Sequence, residues 1–322
     1  MMQFAIVGLG AGAAAALLFA ASVVSGVWFS VFLLYLTPLP LMIAGLGWNH
    51  WVAVLASASA ATALGVTFGT VLFFSFLAAA AIPSCCLCYL ATLSRPVAMA
   101  DGAPAVEWYP PGRLVVWAAV LATAVVIVAI PNFGTDAASF RAALHDALAN
   151  LLNGIAQGGN QGLAATGISD RAIDLFVLIV PPTAAVLATL TNVFNLWLAG
   201  RIVKFSARLT RPWPVLSEMR FPLEIALALA VSVAVSLIGG LAGLVAGVFS
   251  AALLMAYAVL GFAVLHAITQ GRTSRPFVLG GIYAAVFVLG WPMLGLCALG
   301  LSDSLFDWRA RLSRRSGLPA PP

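Results

Sequence analysis

Apolar residues run along the chain in long blocks, at about 4–24, 27–47, 50–66, 69–93, 114–131, 172–200, 222–238, 241–269 and 277–301. A helix needs roughly 20 apolar residues to cross a bilayer, and most blocks reach that length. The breaks are short and marked by Gly, Pro, Trp and Arg. Ser25-Gly26 is the first; Gly45–Trp51 is the second, and its Trp48 and Trp51 suit a headgroup belt. The pattern predicts an all-α fold, a polytopic transmembrane helical bundle of about eight to nine spans.

One stretch follows a different period. Between 132 and 171, Phe140, Leu144, Leu148, Leu151, Leu152 and Ile155 recur at helical spacing. Arg141, His145, Asp146, Asn150 and Asn153 take the opposite face. Thr135 or Asp136 can cap the start and Gly154 the end, so this reads as one amphipathic helix lying along the outer surface. A Gly/Gln/Asn-rich connector follows at 157–162, and Pro181-Pro182 should kink the next span.

Composition narrows the class. Of 322 residues, 63% are hydrophobic and 8% charged. A soluble domain is nearer 45–50% apolar and about 25% charged. A soluble enzyme, a disulfide-stapled secreted protein and a disordered tail are therefore excluded. The four cysteines, Cys85, Cys86, Cys88 and Cys297, lie inside apolar blocks rather than in loops that could be stapled. Cys85-Cys86-Leu87-Cys88 has no second pair or nearby His to complete a metal site, so no metal is expected. Residues 1–24 resemble a signal peptide but lack a charged n-region, and read as a retained first span.

The net charge of +5 is small and scattered over span ends, which speaks for membrane anchoring and against nucleic acid. All basic residues but Lys204 are Arg, a composition that points to a GC-rich coding sequence and a bacterial inner membrane. No charged side chain occurs before Arg95. Loop 201–221 holds Arg201, Lys204, Arg208, Arg211 and Arg220 against Glu218 alone, and is assigned to the cytoplasm. Counting back places 132–171 outside, and 94–113 and the N-terminus inside. Counting forward, the Arg-rich tail returns inside only if 277–306 forms a hairpin broken at Gly290-Trp291-Pro292. Otherwise 222–269 must cross once or three times.

Candidate chemistry is sparse. Thr189, Thr191, Asn192 and Asn195 share one side of a span, where polar groups are costly and commonly functional. They could donate hydrogen bonds to a solute, or join helix to helix. Asn49 and His50 sit at a span boundary and extend the candidate ligand-binding set. His50 and His266 each read as interfacial before they read as ligands. Gly8, Gly12, Ala16 and Ala20 form one ridge of small residues; Gly239, Gly243, Gly247 and Ala251 form another, both suited to close helix packing. Asp303, Asp307 and Arg311 lie four apart and read as an interfacial cap, with Asp307 pairing to Arg311. There is no nucleophile elbow, zinc motif, phosphate loop or dinucleotide fingerprint. No enzyme activity and no cofactor are expected.

The chain resembles the YybS-like family of predicted bacterial membrane proteins. The likeness rests on Tyr35-Leu36-Thr37-Pro38-Leu39-Pro40, Pro212-Trp213-Pro214 and Gly261-Phe262-Ala263-Val264. Leu299-Gly300-Leu301-Ser302-Asp303 with Phe306-Asp307-Trp308-Arg309 completes it. The front half is also similar in layout to the substrate-binding components of energy-coupling-factor transporters. That resemblance implies that Gly8, Gly12, Ala16 and Ala20 dock a membrane coupling subunit, itself joined to an ATPase. The organisation expected is one integral membrane domain. It comprises transporter-like spans at 1–131, the outer helix and loop at 132–171, further spans at 172–308 and a basic tail at 309–322. Two functions follow: a small-solute binding or transport subunit, or a membrane scaffold that recruits partners through loop 201–221.

Overall fold

In the computed structural model the described residues are 2–24, 27–98, 104–130, 170–309 and 311, with 139, 142, 143, 145–147 and 150 as isolated positions. The outer amphipathic helix expected within 132–171 lies for the most part outside them, as does the tail beyond Arg311. The chain forms α1 (Met2–Val24), α2 (Val27–Leu36), α3 (Pro38–Gly47), α4 (His50–Phe68) and α5 (Thr70–Phe76). A π turn (Leu77–Ala81) joins α5 to α6 (Ile82–Thr92). A hairpin of β1 (Ser94–Ala98) and β2 (Pro104–Trp108) precedes α7 (Pro111–Ala129). Then come α8 (Asp170–Phe205), α9 (Leu223–Ser236), α10 (Gly240–Ile268), α11 (Arg275–Leu289) and α12 (Pro292–Phe306). The fold is an all-α polytopic bundle; the antiparallel hairpin, where Arg95 faces Glu107, is the only sheet among the described residues.

Among the described residues seven stretches are long and apolar enough to cross a membrane, by length and composition: Met2–Val23, Phe29–Gly47, His50–Phe68, Thr70–Thr92, Pro111–Ala129, Leu178–Phe205 and Gly240–Ile268. The remaining apolar blocks make shorter helices. α9 has 14 residues, and at 1.5 Å per residue reaches about 21 Å, short of the ~30 Å hydrocarbon core. α11 and α12 have 15 residues each and are separated at Gly290-Trp291, where Gly290 takes a φ of 72°. Two of the long stretches are also interrupted. Pro38 lacks the N–H that would continue α2, so the helix breaks at Thr37, whose Oγ1 donates to the Leu33 carbonyl. The π turn lies just ahead of Pro83, whose ring and missing donor displace the preceding carbonyls in the same way.

The helices assemble by backbone approach. Gly8 faces Leu55, and Gly12 faces Ser59 and the Ala56 carbonyl, so α1 and α4 run parallel with their starts together. Ala15 and Phe19 of α1, Ala56, Ala60 and Leu64 of α4, and Phe76 fill the front core. α10 is the most buried span. Its Gly261 meets the Leu296 carbonyl of α12, and Gly300 of α12 meets the Tyr257 carbonyl of α10. Around that contact Tyr257, Leu253 and Val264 pack with Leu229 of α9, Ala119 of α7 and Ala185 of α8. α3, α6, α7 and α8 join the two halves through Met42, Leu87, Ala118 and Ala199.

These contacts fix which ends share a side. Gly47 lies against Val203 near the end of α8, and Gly45 against Cys88 of α6. The start of α1, the β hairpin and the 206–222 loop are therefore on one face. Arg220 pairs with Asp307, and Arg309 donates to the Ser217 carbonyl, which returns the end of α12 to that same face. α11 is attached more loosely, with no buried residue. Its Tyr283 stacks on Phe262 and shares a hydrogen bond with His266 Nε2 at 2.8 Å.

Single cysteines at Ser206 and Arg311, in a background freed of native thiols, should react with an impermeant reagent from one side of the membrane, and one at Thr70 from the other. Reaction of Ser206 and Arg311 from opposite sides would break this arrangement. A Cβ at Gly261 would strike backbone, so Gly261→Ala should cost about 1–3 kcal/mol, whereas Gly280, with open space around it, should accept Ala without loss. Thermal unfolding of both in one detergent checks the contrast.

Candidate functional site

The polar residues of α8 come together on its buried face. Thr189, Asn192 and Asn195 are all buried, and Thr191 is half-buried. Thr189 Oγ1 donates to the Ala185 carbonyl at 2.7 Å. Asn192 Nδ2 reaches the Ala118 carbonyl of α7 at 3.4 Å. Asn195 Nδ2 donates to the Tyr35 carbonyl of α2 at 2.7 Å and to the Thr191 carbonyl at 2.8 Å. Tyr35 lies beside the Pro38 break, so this amide supplies a donor where the helix ladder is interrupted. Thr189 bonds within α8 while the two amides join α8 to α7 and α2, and of these amides only Asn195 Oδ1 is a buried atom left without a partner.

Asn49 and His50 are elsewhere. Asn49 Oδ1 accepts the Trp51 N–H at 3.1 Å and caps α4. The His50 ring packs on Trp51 and Tyr89. The small-residue ridges also face inward: Gly8 and Gly12 onto α4, with Ala16 and Ala20 packed against the front core. Gly243 and Gly247 lie against Ser236 of α9, while Gly239, at φ 79°, makes the turn between the helices. All four cysteines are free thiols, Cys85 beside Ser57 Oγ and Cys88 beside the Met42 carbonyl. Among the described residues no group of three or more His, Cys, Asp or Glu could hold a metal.

The face carrying 201–222 is where charge collects. Arg211 is buried and donates from Nη1 to the Ala91 carbonyl at 3.0 Å and from Nη2 to the Tyr109 carbonyl at 3.3 Å. It thereby ties the loop to the feet of the β hairpin. Burial pulls its pKa below the usual guanidinium range, yet a guanidinium stays charged at any physiological pH. Arg201 and Lys204 lie over the Trp213 ring, and Arg208 over Trp48 at 4.6 Å from the ring centre. Asp307 adopts a left-handed φ of 48° and turns the chain back after α12. Arg309 then meets the buried Asp303 carboxylate, with Nη2 2.7 Å from Oδ2. Asp307 itself pairs with Arg220 rather than Arg311, which sits over Trp308. Sequence spacing favoured the i,i+4 partner; the left-handed turn redirects the chain beyond Asp307 and leaves its carboxylate facing the 206–222 loop.

Beside this face an open cleft of about 350 Å³ runs between α1 and the broken α2–α3 pair. Val7, Ala11 and Leu18 form one wall; Leu36, Ile43 and Trp48 belong to the other. Every lining residue is apolar, with Trp48 at the charged end. Sequence reading missed the cleft. Its traces were Thr37-Pro38-Leu39-Pro40, which breaks the second span, and the small side chains of Ala11 and Ala44, which leave room beside it.

The family described as predicted membrane protein (DUF2232) matches residues 13–304, nearly the whole bundle. The chain belongs to this family. No curated protein and no solved structure matches it. Membership in DUF2232 accords with a multi-pass protein in contact with lipid along its exposed apolar faces.

Asp303→Ala should cost about 3–5 kcal/mol, because it leaves the Arg309 guanidinium buried and unpaired. Arg220→Gln, at a half-exposed pair, should cost under about 1 kcal/mol. Equal shifts in melting temperature for the two would contradict the burial difference.

Proposed function

We propose that this DUF2232 protein is a non-catalytic binding subunit of a bacterial inner membrane, holding a small apolar solute in the cleft between α1 and α2–α3. The cleft carries the reading: it lies among the early spans, it is open, and its walls are apolar throughout. The donors of Thr189, Asn192 and Asn195 are committed to backbone carbonyls, which moves the candidate site from these residues to the cleft. A polar solute at Asn192 and Asn195 would have to displace those helix contacts. The positive-inside rule puts the 206–222 face, and with it the start of α1, in the cytoplasm.

Transport as a substrate-binding component is the natural use of such a cleft. The likeness to energy-coupling-factor components implied docking through the Gly8–Ala20 ridge. Because α4 occupies that ridge, a coupling subunit with its ATPase would have to meet a different face. A scaffold role is the second reading, favoured by Arg201 and Lys204, which have aromatic neighbours and no carboxylate partner among the described residues.

A thermal-shift screen of apolar metabolites against the purified protein should find stabilising solutes, and Ala11→Phe, which fills the cleft, should abolish the shift. A shift untouched by Ala11→Phe, or none from any apolar solute, would overturn the reading. Loss of a co-purifying soluble protein on Arg201→Gln/Lys204→Gln would favour the scaffold instead.

A further inference from the structure

The charged end of the cleft has a chemistry that its apolar walls do not explain. Trp48 closes that end, and the Arg208 guanidinium lies on the Trp48 ring with its centre 4.6 Å away. A guanidinium held at a ring by cation–π attraction still has N–H donors to offer an oxyanion. Arg208 is exposed and has no carboxylate within salt-bridge reach among the described residues. Arg201 and Lys204, in the last two turns of α8, lie over a second ring, Trp213, and Val203 between them touches Gly47 next to Trp48. Phe205, next to Lys204, is 95% exposed. An exposed ring among cations suits the boundary between acyl chains and headgroups.

We propose that the cleft is an anionic phospholipid site, with one acyl chain between α1 and α3 and the headgroup phosphate on Arg208. The inference rests on the cleft being a binding site and replaces the small apolar solute by an amphiphile, whose apolar chain meets the same walls and whose headgroup lies beyond Trp48. Charge complementarity argues for it: the Arg208 cation lies on Trp48 at one end of an apolar slot, and the sole acid of the loop, Glu218, is exposed and does not pair with it. The slot also runs in the right direction. Val7 to Leu18 covers about 16 Å of helix, leading away from the charged face into the span, as an acyl chain hangs from its headgroup. Trp48 serves as the boundary, apolar toward the chain and cation-bearing toward the phosphate.

The test uses the full-length protein in neutral detergent, titrated with phosphatidylglycerol or phosphatidylcholine of identical acyl chains, with retained lipid measured by native mass spectrometry. Phosphatidylglycerol should be retained in preference. Arg208→Gln should weaken its retention roughly fivefold, the factor implied by about 1 kcal/mol per basic residue, and leave phosphatidylcholine unchanged. Arg272→Gln, in the exposed loop before α11, should alter neither. Ala11→Phe should reduce retention of both lipids. Equal retention of the two by the wild type, or a preference that survives Arg208→Gln, would overturn the headgroup assignment while leaving the cleft standing. Displacement of phosphatidylglycerol by millimolar inorganic phosphate would also overturn it, by showing a free-anion site. Retention unaffected by Ala11→Phe would instead sink the cleft reading beneath it.

Discussion

Close backbone contact between α10 and α12 is the constraint on which the second half of the bundle depends. In lipid, apolar side chains gain nothing by leaving the solvent, so helices must be held by packing and by hydrogen bonds. Gly261 and Gly300 let the two backbones touch, and Tyr257, Leu253 and Val264 then have fixed surfaces to pack on. α7, α8 and α9 are arranged about α10 and take their positions from it. The front half repeats the device with Gly8 and Gly12 of α1 on α4.

Hydrogen bonds do the rest, and they go chiefly to backbone carbonyls. Asn192 serves a carbonyl on α7, Asn195 one at the broken end of α2, and Arg211 two at the base of the hairpin. Arg309 combines both modes, answering the Asp303 carboxylate and the Ser217 carbonyl. Polar side chains thus repair the places where Pro or a loop interrupts regular structure. Elsewhere cations rest on rings, and an interrupted helix stands away from its neighbour.

The bundle itself was legible, because spans declare themselves by length and hydropathy alone. The break at Gly290-Trp291-Pro292 was legible too, since Gly and Pro there cannot continue a helix. Among the described residues seven stretches reach crossing length, while three further apolar blocks form helices of 14 or 15 residues, a difference that composition does not display. The hairpin at 94–108 went unread; Pro96 and Pro104 argue against strands, and cross-strand pairing such as Arg95 with Glu107 is not local in sequence. The contacts of Gly261, Gly300 and Arg211 were hidden for the same reason, their partners being far along the chain. The cleft is a cavity between helices, and a cavity is a property of packing that no motif records.

The bond from Asn195 to the Tyr35 carbonyl spans 160 residues. During synthesis at 5–20 residues per second, α2 waits roughly 10–30 s before its partner exists. Through that interval the Pro38 break presents its carbonyl to lipid, to water at the interface or to the insertion machinery. The first four spans also carry no charge of their own to fix their orientation. The front half is therefore a provisional structure at birth, and α8 is the helix that completes it.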